Sequence, residues 1–591
     1  MQRSKGLSAV MRRVGFIPRI TQPPSVTRRY KSNVTTKFDQ ETDVLIIGSG
    51  AGALTASLRA TSLGLRNIVI EKQDTIGGAS AISGGGIWIP CNGVSKAAGI
   101  QDSEDMAMSY FEEAVGDVGP ASSIEKRMAY ITDGPKMVEF LQDHGFQFHF
   151  AKGYPDYYPA MQGAMGRGGG RTIETKPFNA RKLKEWQSKL PPAQVPVAIH
   201  TNDAPVFSRV ASSLGSFLYV TQKMLPLIAR ALIGQKLTSM GRGLVAQLLY
   251  LNLKHKGGDI LTGTKFSKLI QGKDGEVIGA EIKFGSRSRA VRATRGVILA
   301  AGGFAHNREM RERFLPKPAT TEWTSSPRGD TGDAIQEGIR IGAETALLDD
   351  AWWGPTIVDP VSGQNAFALI ERALPYCIIV DSTGSRFMNE AQSYTDAGHD
   401  QCARNKQVKA IPAWLIMDSR HRSKYLLGGL FPRAKPSKEA FSEGRIFQSA
   451  SLEDLARQIG VDIQGLSKTI QRFNEMCRKG VDEDFGKGTL AYDQFFGDPT
   501  CRPNPNLGAL EKIPYYAVRI WPGDLGTKGG LLTDEFQRVL DKQMQPIRGL
   551  FAIGNTAASI MGRTYLGAGS TLGPAMTHGF IAANYISGSK P

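Results

Sequence analysis

Asp43-Val44-Leu45-Ile46-Ile47-Gly48-Ser49-Gly50-Ala51-Gly52-Ala53 decides the fold of this chain. Its apolar start has the composition of a buried parallel strand. A G-x-G-x-x-G/A pattern follows at once, and 54–60 reads as helix. A second strand, Asn67-Ile68-Val69-Ile70, ends on Glu71 and Lys72. Strand, glycine turn, helix, strand and acid in this order form a dinucleotide site. The first glycine permits the tight turn, the second lets the backbone approach a pyrophosphate, and Ala53 lets helix and strand pack closely. The helix N-terminus faces the phosphates, and Glu71 can bond a ribose hydroxyl. Gly48, Gly50, Gly52, Ala53, Glu71 and Lys72 are the first candidate cofactor contacts.

Working outward, 77–90 is dense in glycine and small hydroxyls, so its backbone can approach a bulky flat ligand. Gly77, Gly78, Ser80, Ser83, Gly84 and Gly85 join the candidates. Two distant apolar strands also end in glycine: 296–304, with Ala301 and Gly302, and 549–555, with Gly554 and Asn555. Thr571 and Leu572, opening the last helix, complete the set. Three such strands are expected to converge at the carboxyl edge of one sheet around FAD.

With these residues in place, the chain resembles the flavoprotein family that holds fumarate reductase flavoproteins and 3-ketosteroid Δ1-dehydrogenases, and the steroid branch more closely. The resemblance runs from about residue 42 to 587. It is carried by Gly84-Gly85-Gly86-Ile87-Trp88-Ile89-Pro90, by Gly153-Tyr154-Pro155-Asp156-Tyr157-Tyr158-Pro159, by 521–530, and by the stretch from Gly554-Asn555 to Met576. It implies FAD as cofactor and oxidation of the C1–C2 bond of a 3-ketosteroid, with hydride passing to flavin N5. It implies that Tyr565 and the Gly569 N–H hydrogen-bond the C3 carbonyl, that Tyr394 takes the C2 proton, and that Tyr157 assists. A phenol and an N–H aimed at a developing enolate oxygen are each worth about 2.7–4 kcal/mol. Leu566 and Ala568 stand where the family has prolines, so the loop that aims Gly569 is expected to be less stiffened by its own backbone.

The implied fold is α/β: a Rossmann-like two-dinucleotide-binding FAD domain, discontinuous over 41–351 and 528–591, with an inserted α+β catalytic or substrate domain at 352–527. The insert opens on Trp352-Trp353-Gly354-Pro355, has a strand near 376–381, and has helical patterns over 452–478 with Ser451 as N-cap.

Net charge is +17 over 591 residues. Residues 1–40 carry nine basic side chains against Asp39 alone, so about half the excess lies in a leader. That leader, rich in Ser and Thr, reads as a mitochondrial transit peptide, with a disordered basic tail as the plain alternative. Five scattered cysteines with no CxxC spacing point to a reducing compartment, with no disulfide framework and no metal site. No aromatic–basic motif suggests nucleic acid.

Residues 204–258 contain no acid but seven basic residues among apolar runs. Two readings stand. One is an amphipathic helix on acidic lipid, giving peripheral membrane contact. The other is a helical excursion packed on the FAD domain with a solvated basic face.

The leading expectation is an FAD-dependent dehydrogenase that desaturates beside the ketone of an apolar substrate, a steroid above all, and passes electrons to an unknown acceptor. A fumarate- or enoate-type reductase shares the fold, although none of the eight histidines sits in a dicarboxylate motif. A membrane-surface flavin-binding protein with little catalysis is the third reading.

Overall fold

The computed structural model describes residues 37–193 and 197–589. Most of the leader, and with it the transit-peptide reading, lies outside the described residues. The central sheet has eight strands. Its parallel body runs Pro546–Ala552, Arg287–Leu299, Gln40–Ile47, Asn67–Ile70 and Asp259–Leu261, in that order. Val44, Leu45 and Ile46 are fully buried, as strands covered on both faces must be. Arg538–Leu540 closes one edge antiparallel, and an antiparallel ribbon, Thr264–Gln271 with Val277–Phe284, extends from the start of Arg287–Leu299.

The three glycine-ended strands are adjacent: Ile47 pairs with Leu299, and Leu299 with Ala552. Their carboxyl ends therefore share one edge. Helix Ala51–Ser62 rises from that edge and packs against Leu572–Ser587. The contact is close because Gly52 lacks a side chain; a Cβ there would lie 2.4 Å from the Ala575 carbonyl oxygen.

Residues 352–527 begin and end beside each other, since Ala351–Trp353 pairs antiparallel with Asp524–Thr527. Between them lies a four-stranded antiparallel sheet, Cys377–Val380, Ala413–Met417, Tyr515–Ile520 and Phe447–Ser449, buried on both faces. The helical pattern from 452 resolves into Leu452–Ile459 and Ile463–Lys479. Ser451 caps the first through the Asp454 N–H, and left-handed Gly460 ends it.

The acid-free excursion divides in two. Met240–Lys254 is a core helix, whereas no residue of Leu214–Leu232 is buried. Leu214, Phe217, Leu218, Leu225, Ile228 and Leu232 recur at helical spacing on one exposed face, Leu214 at 72% and Leu232 at 83% exposure. The opposite face carries Tyr219 and Lys223, whose hydroxyl and amine hold Asp203 at 2.5 and 3.1 Å. The packed-excursion reading therefore holds for Met240–Lys254 and is corrected for Leu214–Leu232, whose apolar stripe is exposed rather than packed. No helix among the described residues is long and apolar enough to cross a membrane.

Candidate active site

The cofactor candidates separate into lining and packing positions. Gly50 opens helix Ala51–Ser62, and a Cβ there would meet the Ser80 hydroxyl at 3.4 Å and the Gly77 carbonyl oxygen at 4.0 Å, both ordinary contacts. Gly78 and Gly84 face open space. Gly48 is left-handed at φ +111°, against the Ala300 carbonyl. Glu71 is buried and accepts from the Ser49 hydroxyl at 2.6 Å and the Gln73 N–H at 2.9 Å, and burial pushes its carboxyl up. Ser49 also accepts from Gly77 N–H, so one hydroxyl joins the glycine turn, the acid and the next loop.

Other candidates face elsewhere. Gly85 packs on Met240 and Gly241, and Gly302 on Asp330. The Lys72 amine is held by Thr331 and Asp333 at 2.6 and 2.8 Å. Ser80 caps the Ala51 N–H at 3.0 Å, and Ser83 bonds the Ser80 carbonyl and the Gly85 N–H. Ala53 is buried between helix and sheet, as the motif requires. Ala301 is half-buried at the sheet edge. Gly554, Asn555 and Thr571 line one concavity with Trp352, and Leu572 begins the helix behind it. Open backbone at Gly50, Gly78 and Gly84, a buried acid and a helix N-terminus together fit the pyrophosphate and ribose of FAD.

Beside that concavity, Tyr157, Tyr394 and Tyr565 meet. The ring centres of Tyr157 and Tyr565 are 5.3 Å apart, of Tyr394 and Tyr565 4.9 Å, and of Tyr157 and Tyr394 5.5 Å. All three are buried, and Trp352, Phe367, Tyr154 and Tyr492 wall them in. Burial pushes the Tyr565 phenol up; hydrogen bonding to Tyr394, Thr571 and the Gly569 N–H opposes the rise. Burial and the neighbouring Tyr565 hold Tyr394 well above the ordinary phenol value, while its bond with Tyr157 pulls it down. The Tyr154 and Tyr157 hydroxyls continue the chain at 3.3 Å.

The proline-free loop is held from outside. Tyr110 Oη and Tyr157 N–H both donate to the Leu566 carbonyl, at 2.8 and 2.9 Å. Thr172 Oγ1 donates to the Ala568 carbonyl at 3.0 Å, and Ser570 closes back on Gly567. Gly569, at φ +103°, lies so close to Gly86 that a Cβ would stand 2.3 Å from its carbonyl oxygen.

Two residues without a role in the sequence reading hold Tyr565. The Thr564–Tyr565 peptide is gripped at both ends: its carbonyl accepts from Lys528 Nζ at 3.0 Å, and its N–H donates to Tyr158 Oη at 3.3 Å. Fully buried Lys528 stands 3.6 Å from Asp350 and 4.6 Å from the Trp352 ring centre, and burial brings its amine down to about 8. Asp350, drawn down to about 2 against its burial chiefly by Lys528, also accepts from His399 and Trp353. Tyr158 donates to Asp396 at 3.2 Å. Both gripping residues lie inside quoted motifs, at 153–159 and 521–530, but only the fold places them on one peptide.

The comparisons agree with this geometry. An FAD binding domain family model matches residues 43–572. A 3-oxosteroid 1-dehydrogenase of Mycobacterium tuberculosis is 40% identical over 563 residues, 93% of this chain and 98% of that one. The chain belongs to the 3-oxosteroid 1-dehydrogenase family. The crystal structure of a member of this family, the 3-ketosteroid delta1-dehydrogenase of Sterolibacterium denitrificans in complex with 1,4-androstadiene-3,17-dione, superposes with a TM-score of 0.87 at 39% identity, covering 93% of this chain and 100% of that one. A 4-oxocyclohexanecarboxylate 2-dehydrogenase of Sinomonas cyclohexanicum is 36% identical over 92% of this chain and 93% of its own length. Like the family members just described, the protein has the fold of FAD-binding flavoenzymes, FAD is its cofactor, and it is an FAD-dependent oxidoreductase. These relatives are bacterial and give the mitochondrial expectation no support.

Proposed function

We propose that this enzyme introduces the C1–C2 double bond into a 3-ketosteroid. The observation that carries the reading is the convergence of three phenols and the Gly569 N–H in one buried chamber. Tyr565 Oη and Gly569 N–H donate to the C3 oxygen and take up the charge that grows there as the α-proton leaves. Tyr394 receives the C2 proton on Oη, and Tyr157, bonded to it, stabilises its phenolate. FAD, when bound, supplies the two-electron oxidant that accepts the hydride from C1. The aromatic walls exclude water and fit an apolar ring system. The Rossmann-like reading, with 352–527 as the inserted substrate-side domain, accounts for Tyr394 reaching Tyr565 from a distant segment.

One observation favours a steroid over a carboxylated cyclic ketone or a dicarboxylate. Of the buried cations beside the chamber, Lys528 is held by the Thr564 carbonyl and Asp350, and Arg372 gives two of its three nitrogens to the Glu390 and Gln392 carbonyls. Assay of the purified holoenzyme against 4-androstene-3,17-dione and 4-oxocyclohexanecarboxylate tests this. Turnover of the carboxylate alone would refute it.

The Leu214–Leu232 helix supports a second proposal, peripheral membrane contact. Six large apolar side chains on its outer face suit insertion at a lipid surface. Six apolar side chains stand against two exposed basic ones, Arg230 and the Asp203-paired Lys223, so apolar burial rather than anionic attraction provides most of the binding. Flotation should then occur with zwitterionic as well as anionic vesicles; flotation with anionic vesicles alone would overturn that division.

A further inference from the structure

We propose that His149, Glu174 and His200 form a binding site for a zinc-like divalent metal ion. His149 and Glu174 are cross-strand partners in the antiparallel pair Phe148–Phe150 with Thr172–Thr175, so their side chains share a face. His200, at the turn before Thr201–Asp203, lays its ring on that of His149 with centres 3.9 Å apart. The donor atoms of the three residues all lie within 4.8 Å of one another. A tetrahedral ion with bonds of about 2.0–2.1 Å needs its ligand atoms about 3.3 Å apart, so the two stacked rings must turn until their in-plane lone pairs converge as the donors draw together.

The second observation is a pair of orphaned polar atoms. Glu174 Oε1 and His200 Nδ1 are buried, lack any hydrogen-bond partner and face each other at 3.4 Å. A fully buried carboxylate with an unpartnered oxygen is costly, and a cation removes that cost. The other oxygen, Oε2, is already fixed by the Thr201 N–H and hydroxyl, both at 2.9 Å, as outer partners fix a ligating carboxylate. Two imidazoles and one carboxylate suit zinc, cobalt or nickel over magnesium or calcium. Both rings reach the surface, which leaves a coordination position for water.

The site has a structural consequence. Thr201 Oγ1 also lies 2.9 Å from the Gly84 carbonyl oxygen in the cofactor loop, sharing its one proton between that oxygen and Glu174, and Asp203 holds the exposed helix through Tyr219 and Lys223. A bound ion would clamp the root of that helix to the cofactor loop.

The test uses the full chain with its flavin, stripped with EDTA and titrated with cobalt(II) chloride. The expected result is one equivalent bound with visible d–d absorption, displacement by zinc chloride, and a zinc-dependent rise in Tm. H149A/H200A should lower the affinity by about 100-fold or more and abolish the Tm rise, with flavin retained. H144A/H255A, which removes another neighbouring histidine pair, should change neither. Should H149A/H200A lose its flavin, X-ray absorption of the wild-type cobalt protein decides, with two imidazole nitrogens at about 2.0–2.1 Å expected. Binding unchanged in H149A/H200A, binding lost in H144A/H255A, or no stoichiometric uptake by the wild type overturns the proposal.

Discussion

The tyrosine chamber and the Leu214–Leu232 helix invert burial in opposite directions. The chamber takes phenol hydroxyls out of water: those of Tyr154 and Tyr157 lie 3.3 Å apart, and that of Tyr492 is buried with no hydrogen-bond partner. The helix puts leucines into water while its Tyr219 and Lys223 pair with Asp203. A buried hydroxyl without a partner costs about 1–3 kcal/mol, and an exposed apolar stripe forfeits about 25 cal/mol per Å². In the proposed reading each arrangement meets something outside the chain, a ketone in one case and an apolar surface in the other.

The strongest way to break the comparison is to remove one hydroxyl. Tyr394→Phe deletes the proposed base and should lower kcat by about 10²–10⁴-fold, and Tyr565→Phe by about 10²–10³-fold, both with flavin content unchanged. Stopped-flow turnover checks this, and full activity in either variant would strip that residue of its role. The pH profile sharpens the same point. Burial raises the Tyr394 phenol above its reference value of about 10, so the ionised base is scarce at neutral pH. Its fraction, and kcat/KM with it, should climb about tenfold per pH unit from pH 7 upward; a profile flat in that range would contradict a phenol base.

A smaller effect is expected one layer out. Lys528→Met frees the Thr564 carbonyl and Tyr158→Phe frees the Tyr565 N–H, so each should lower kcat by about tenfold with KM little changed, the equivalent of about 1.4 kcal/mol. A pure KM effect would mean that the grip serves binding and leaves the aim of Tyr565 untouched. The smallest change in turnover belongs to the helix. Leu218→Asp with Leu225→Asp should abolish vesicle flotation and leave kcat for dissolved steroid within about twofold, because no residue of that helix is buried.

The same contrast marks what can be read from sequence. The strand–glycine–acid order around Gly48 to Glu71 is local, and the structure places those residues on one edge as their spacing implies. Tyr565 and Gly569 are four residues apart in one loop, so their meeting is local too. Lys528 and Tyr158 lie hundreds of residues apart and meet only because two segments return to the same peptide. Glycines look alike in sequence, yet Gly84 faces open space and Gly85 packs on Met240. Periodicity marks the stripe on Leu214–Leu232 but not the side on which the protein lies. That side is set by Asp203, outside the helix. His149, Glu174 and His200 have no motif spacing because a strand pair and a distant turn bring them together.

The central claim is tested most directly by anaerobic mixing of the purified holoenzyme with 4-androstene-3,17-dione while the oxidised-flavin absorbance is followed. Rapid bleaching with formation of 1,4-androstadiene-3,17-dione is the result expected of a chamber built from Tyr157, Tyr394, Tyr565 and Gly569. A flavin that stays oxidised with the steroid but bleaches with 4-oxocyclohexanecarboxylate would contradict it.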